Sequence, residues 1–175
     1  MWFFWVCLVV NIILLYVLVY VRSASRKVPV NFVLLGIFTL TEAYLVSCIT
    51  AYHDPETVFI AALLTAAIVV ALTIYAFTTK TDFTICGGLL FTAVMALFVG
   101  SILAIIFRSR LLSILISVIS VVVFSIYLIY DTQLILGKGE LRLTIDDYIF
   151  AAMNLYLDII RIFLEILRIV GAARN

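Results

Sequence analysis

Hydrophobic positions in this chain gather into six long runs, separated by short breaks that carry most of the charged and turn-forming residues. A helix needs roughly 20 apolar residues to cross about 30 Å of hydrocarbon. The runs 2–21, 30–51, 56–77, 83–107, 111–136 and 145–170 all reach that length. The pattern predicts an all-α fold, a polytopic transmembrane helix bundle of six spanning helices forming a single transmembrane domain over 1–175. The breaks have the chemistry of helix ends. Arg22 to Val28 is polar and basic, and Pro29 suits the first turn of the second helix. Asp54-Pro55-Glu56 reads as N-cap, N1 proline and first-turn acid for the third helix. Asp82 is placed to cap the fourth helix, and Arg108 and Arg110 divide the fourth from the fifth. Gly137-Lys138-Gly139 ends the fifth, and Thr144 with Asp147 forms a capping box for the sixth.

Composition narrows the class. Hydrophobic residues make up 67% of the chain and charged ones 12%, at a mean hydropathy of +1.34. That charged share is about half that of an average soluble domain, too little to cover so much apolar side chain. A net charge of +1 without a dense basic run points to no nucleic-acid partner. Cys7, Cys48 and Cys86 are an odd, scattered set within or beside the apolar runs. They read as buried small hydrophobes, neither a disulfide framework nor a metal site. The chain opens on apolar residues with Trp2 and Trp5 as interfacial anchors and no basic n-region, so residues 2–21 are expected to be a spanning helix and not a cleaved signal. Six basic residues (Arg22, Arg26, Lys27, Lys80, Lys138, Arg142) fall on one side and four (Arg108, Arg110, Arg168, Arg174) on the other. The richer side faces the cytosol, which puts both termini away from it. On the fourth helix Gly88, Thr92, Ala96 and Gly100 form a small-residue row along which a neighbouring helix is expected to pack.

Ionisable groups at bilayer depth cost about 2.5–3.5 kcal/mol each on insertion scales, so each needs a reason. Glu42 lies near the middle of the second helix and Asp131 near the end of the fifth. Asp147, Ala151, Asn154, Asp158, Arg161, Glu165, Arg168 and Ala172 follow at alternating steps of four and three, which is one face of the sixth helix. Ser113, Ser117, Ser120, Phe124, Tyr127 and Asp131 repeat the rhythm on the fifth. Consecutive helices with a short loop are antiparallel neighbours, so these faces are expected to meet. At 1.5 Å per residue Asp158 comes out about 11 Å below the interface and Asp131 about 9 Å, one level for two carboxylates. A close pair resists double ionisation, takes up protons as a unit, and can bind a cation when ionised and release it on protonation. Asp158–Arg161 and Arg161–Glu165 are spaced for helical ion pairs, so Arg161 is a charge partner for the site. Glu165 and Arg168 read as structural, with Arg168 snorkelling to the interface. His53, beside Asp54 in a loop, reads as solvated.

Two intramembrane aspartates also suggest an aspartyl protease of the membrane. That chemistry carries a GxGD motif and a later PAL motif. Asp158 here sits in Tyr156-Leu157-Asp158 with no glycine near, and Pro29 and Pro55 are the only prolines, so no enzyme is expected.

Five stretches in order resemble the transmembrane BAX inhibitor motif family, the lifeguard and Golgi anti-apoptotic protein group. They are Phe38-Thr39-Leu40-Thr41-Glu42-Ala43-Tyr44, Thr79-Lys80-Thr81-Asp82-Phe83-Thr84, Tyr130-Asp131-Thr132-Gln133, Asp146-Asp147-Tyr148-Ile149-Phe150-Ala151-Ala152 and Asn154-Leu155-Tyr156-Leu157-Asp158-Ile159-Ile160. The resemblance implies a seven-helix fold in Golgi or endoplasmic reticulum membranes, so this chain is expected to start at what would be the second helix. It also implies a pH-sensitive calcium leak and suppression of cell death. Asp131 and Asp158 fall where the family's paired aspartates sit, and the Glu42 block matches its third helix. Arg161 stands where relatives are uncharged. The expected function is a calcium leak channel sensing protons at Asp131 and Asp158, with Glu42 on the ion path. Its partners are then the lipid bilayer, calcium as the transported species, and BCL-2-type proteins or intracellular calcium channels, with no tightly bound cofactor or metal. The alternative is a non-conducting regulator of cell death that acts through protein partners.

Overall fold

A computed structural model describes residues 2–137 and 144–174. Its helices are α1 (Trp2–Tyr20), α2 (Arg22–Arg26), α3 (Val30–Thr50), α4 (Pro55–Thr78), α5 (Gly87–Phe107), α6 (Arg110–Leu136) and α7 (Tyr148–Arg174). Single 3-10 turns, Thr84–Cys86 and Ile145–Asp147, lead into α5 and α7. Among the described residues there is no strand, and the fold is all-α. Among the described residues five helices are long and apolar enough to cross a membrane: α1, α3, α4, α5 with its leading turn, and α6. The sixth long helix, α7, has 27 residues, but Asp158, Arg161, Glu165 and Arg168 break its apolar run. Such a helix needs protein, not lipid, against its charged face.

Several helix ends follow the expected chemistry, whereas Pro29 stands at the N-cap of α3 and not in its first turn. Asp82 Oδ1 accepts from the Thr84 backbone N–H at 2.8 Å and from its hydroxyl at 2.6 Å. The aspartate thus holds the first residue of the 3-10 turn from one position before its N-cap, Phe83, and α5 proper begins a turn later. Ser109 caps α6 by accepting from the Leu112 N–H at 3.2 Å. Gly137 closes α6 at φ 64°, where a side chain would be strained, and its N–H returns to the carbonyls of Gln133 and Leu134. Lys138, Gly139 and Arg142 lie outside the described residues. The basic break after α1 is more ordered than its composition suggests: the N–H groups of Ala24 and Ser25 both bond the Val21 carbonyl, and this starts α2.

Tertiary contacts divide the chain into two units, residues 1–54 with 143–154 and residues 55–142 with 155–175. In the first, α1 packs along α3. Asn11, buried within α1, donates to the Thr41 hydroxyl at 3.1 Å and the Phe38 carbonyl at 3.4 Å. This is a polar tie of the kind that joins helices in lipid. Asn31 is fully buried and donates to the Tyr148 hydroxyl at 2.7 Å. Arg26 pairs with Asp147 at 2.6 Å, and Asp147 closes the capping box with Thr144. Those bonds, the Thr144 hydroxyl first and Arg26 next, hold the Asp147 carboxyl below its ordinary value of 3.8. A depressed value means that its contribution is full above 3.8 and is lost as pH falls through the lower folded value. Asp147→Asn is therefore expected to lower the melting temperature by roughly 1–3 °C near neutral pH, since an exposed pair contributes little. Thermal unfolding in detergent should show the difference fade in acid; a gap that persists there would contradict the assignment.

In the second unit α4 and α5 both pack on α6, and Ala61, Leu128, Ile162, Ile166 and Leu167 form a buried cluster. Gly87 lies so close to α6 that a Cβ there would stand 3.0 Å from the Tyr130 hydroxyl oxygen. The small-residue row expected to take a neighbour does not do so within this chain. Gly88, Thr92 and Ala96 are exposed, a Cβ on Gly88 would meet nothing within 4 Å, and only Gly100 touches Ile116. The inner face of α5 is instead the one bearing Gly87 and the buried Leu90. Gln133, 1% exposed, anchors the connection before α5: its Oε1 accepts from the Phe83 N–H at 2.8 Å and its Nε2 donates to the Thr81 carbonyl at 2.9 Å. At the other end Arg174 pairs with Glu56 at 2.6 Å, and Arg110 donates to the Ala172 carbonyl in the last turn of α7. All three cysteines are free; Cys7 is buried, while Cys48 and Cys86 are half-buried.

Candidate functional site: a carboxyl pair in the α6–α7 seam

The polar faces of α6 and α7 meet residue by residue, in the order that antiparallel helices require. Asp131 of α6 and Asp158 of α7 lie side by side, their carboxyl groups within hydrogen-bonding reach of each other. Each is only 7% exposed. Tyr127, one turn before Asp131, borders both. Farther along, the Arg161 guanidinium lies over the Phe124 ring, 5.6 Å from its centroid. Farther still, Arg168 donates to the Ser117 hydroxyl at 3.3 Å and pairs with Glu165 at 3.1 Å. The seam opens there into a cavity of about 290 Å³ lined by Ser101, Ala104, Ile105, Ser113, Ile116, Glu165 and Arg168.

The carboxyl pair has an unmet requirement. With both groups ionised, Asp158 Oδ2 is buried and has no hydrogen-bond donor. Burying an unsatisfied charged oxygen is costly, and a like charge beside it raises the cost. One proton shared between the carboxyls would answer it, turning like-charge repulsion into a hydrogen bond from one carboxyl to the other.

The other singled-out residues fall as follows. Arg161 forms no ion pair with Asp158 or Glu165 among the described residues. Arg168 takes Glu165, and the aromatic face takes Arg161. Glu42 is half-buried on α3, in the first unit. His53 Nδ1 lies 3.2 Å from the Ile49 carbonyl, half-buried and not simply solvated. Sequence reasoning passed over Asn11, Asn31 and Gln133. The signal for the first two was available, since an amide within or beside an apolar run needs a partner.

Fold and site together define an all-α, multi-pass integral membrane protein with a buried carboxyl pair in a helix seam. The sequence model of the family described as "Inhibitor of apoptosis-promoting Bax1" matches residues 1–175, and the chain belongs to that family. It is 34% identical over 155 residues to protein lifeguard 3 of Mus musculus, covering 86% of this chain and 50% of that protein. It is 32% identical over 154 residues to protein lifeguard 3 of Homo sapiens, at 86% and 50% coverage. Protein LIFEGUARD 4 of Arabidopsis thaliana is 38% identical over 152 residues, covering 85% of this chain and 60% of that protein. The chain thus spans about half to three-fifths of the length of these curated relatives.

Proposed function

We propose that this chain forms a pH-sensitive calcium leak pathway in an intracellular membrane, Golgi or endoplasmic reticulum, and that it protects cells against death. The observation that carries the reading is the buried, donor-less Asp158 Oδ2 beside Asp131. Calcium takes oxygen ligands and favours carboxylates, so a doubly ionised pair suits it. A proton arriving at the pair cancels one charge and releases the ion. Calcium is cargo here, not a resident cofactor, and no catalytic step is involved. Glu42 is proposed as a further acidic group on the ion path.

Purified protein in calcium-loaded vesicles is expected to leak at a rate that changes with pH. Asp131→Asn and Asp158→Asn should each remove most of that change. If both leave the rate and its pH dependence as in the wild type, proton gating by the pair is wrong. The family description names an apoptosis-promoting protein as its target, and this favours a second reading: a regulator that acts through BCL-2-type partners or calcium channels without flux of its own. A purified reconstitution with no leak at any pH selects that reading.

A further inference from the structure

Arg161 is an arginine in a long helix of a membrane protein, and such groups normally sit on a carboxylate. One candidate, Glu165, is engaged by Arg168. The other, Asp158, is one turn away on the same face and keeps a buried oxygen without a donor. A full positive charge and an unsatisfied carboxylate oxygen therefore stand one turn apart and do not close. The guanidinium rests on Phe124 of the facing helix instead. Helical side chains lean toward the N-terminus of their helix, which for Arg161 is the direction of Asp158, and an arginine is long enough to cover one turn.

We infer that Arg161 is the selectivity residue of the cation path: a tethered competitor that alternates between the Phe124 ring and the carboxyl pair, and that a divalent cation displaces while a monovalent one does not. The inference rests on the leak reading and specifies which ions that site accepts. A tethered guanidinium faces the pair at an effective concentration of about millimolar or more. It also brings two parallel hydrogen bonds to a carboxylate. A sodium or potassium ion has the same charge, no tether and no such bonds, so it loses the competition. A calcium ion doubles the Coulomb attraction and is itself a ligand-hungry oxygen binder, so it wins. Arg161 is exposed, and the π face of Phe124 is the resting place the displaced guanidinium takes. The groups in reach of it are Phe124 on α6 and, on its own helix, Asp158, which feels its charge.

The test compares calcium and sodium fluxes through the purified chain in the same vesicles. Wild type should favour calcium. Arg161→Gln should raise the sodium flux by roughly tenfold, with calcium rising by less than about threefold, because only the monovalent ion was being excluded. Arg161→Lys keeps a tethered cation and should keep the wild-type ratio, which separates a charge effect from damage to the fold. Phe124→Leu removes the resting place and should lower both fluxes several-fold, but should have no effect in an Arg161→Gln background. Flux that depends on Asp131 and Asp158, with a calcium-to-sodium ratio unchanged in Arg161→Gln, overturns this inference alone. Wild-type flux insensitive to both aspartate substitutions overturns the leak reading and this inference with it.

Discussion

Asp158→Asn is expected to melt at a higher temperature than the wild type at pH 10 and at the same temperature at pH 5. The wild-type pair at alkaline pH holds two charges in a place where each is 7% exposed and one oxygen has no donor. An asparagine removes one charge and supplies an N–H for Asp131, so repulsion is exchanged for a charge-assisted hydrogen bond. Replacing a buried ion pair by well-packed neutral residues is often neutral or stabilising by about 1–4 kcal/mol in other proteins, and relief of like-charge repulsion is of that order. For a chain of this length that corresponds to a shift of about 2–16 °C. In acid the wild type already carries the proton that the amide imitates, and the advantage disappears. Thermal unfolding in detergent at the two pH values reads the result directly. A variant less stable than wild type at pH 10 would mean that the pair is not a site of stored repulsion.

The second large effect belongs to Gln133, which lies two residues beyond Asp131 and serves a different purpose. Its side chain satisfies one backbone donor and one backbone acceptor in the connection between α4 and α5. Gln133→Leu would leave the half-buried Phe83 N–H without its partner, while the carbonyl of the exposed Thr81 can turn to water. An orphaned, partly buried donor costs about 1–3 kcal/mol, so a loss of that size is expected. Hydrogen exchange should quicken at the amides of the Phe83–Cys86 turn, with little change in the core of α6. Unaltered protection at Phe83 would show that the connection is held by other means. The Tyr130-Asp131-Thr132-Gln133 stretch thus combines a charged residue that faces the seam and an amide that fastens a loop.

The extent of the helices was legible in the sequence because lipid leaves few alternatives to them. The expected runs 30–51 and 111–136 are observed as Val30–Thr50 and Arg110–Leu136. The pairing of Asp131 with Asp158 was legible for a related reason. Both lie on strictly periodic faces, and a short connection leaves two antiparallel helices only one register that puts those faces together. What the sequence did not disclose depends on rotation about the helix axis. Arg161 has two carboxylates at helical spacing on its own helix, yet its ring partner is on another. The row Gly88, Thr92, Ala96 has the spacing of a packing face, yet it points outward because Gly87, one residue away, is the glycine pressed against Tyr130. One residue is 100° of helix, and periodicity does not choose between such neighbours when both are small. Asn11 and Asn31 are a different case, since their partners Thr41 and Tyr148 lie far off in the chain.

The α6–α7 seam also has an electrical consequence. With every group ionised it carries three carboxylates, Asp131, Asp158 and Glu165, against two guanidiniums, Arg161 and Arg168. One shared proton makes the seam neutral. A proton that travels to the pair from either aqueous side crosses part of the transmembrane field, and a full crossing is worth about 2.3 kcal/mol per 100 mV. Under the proposed leak function, proton occupancy of Asp131 and Asp158 would respond to membrane voltage as well as to pH.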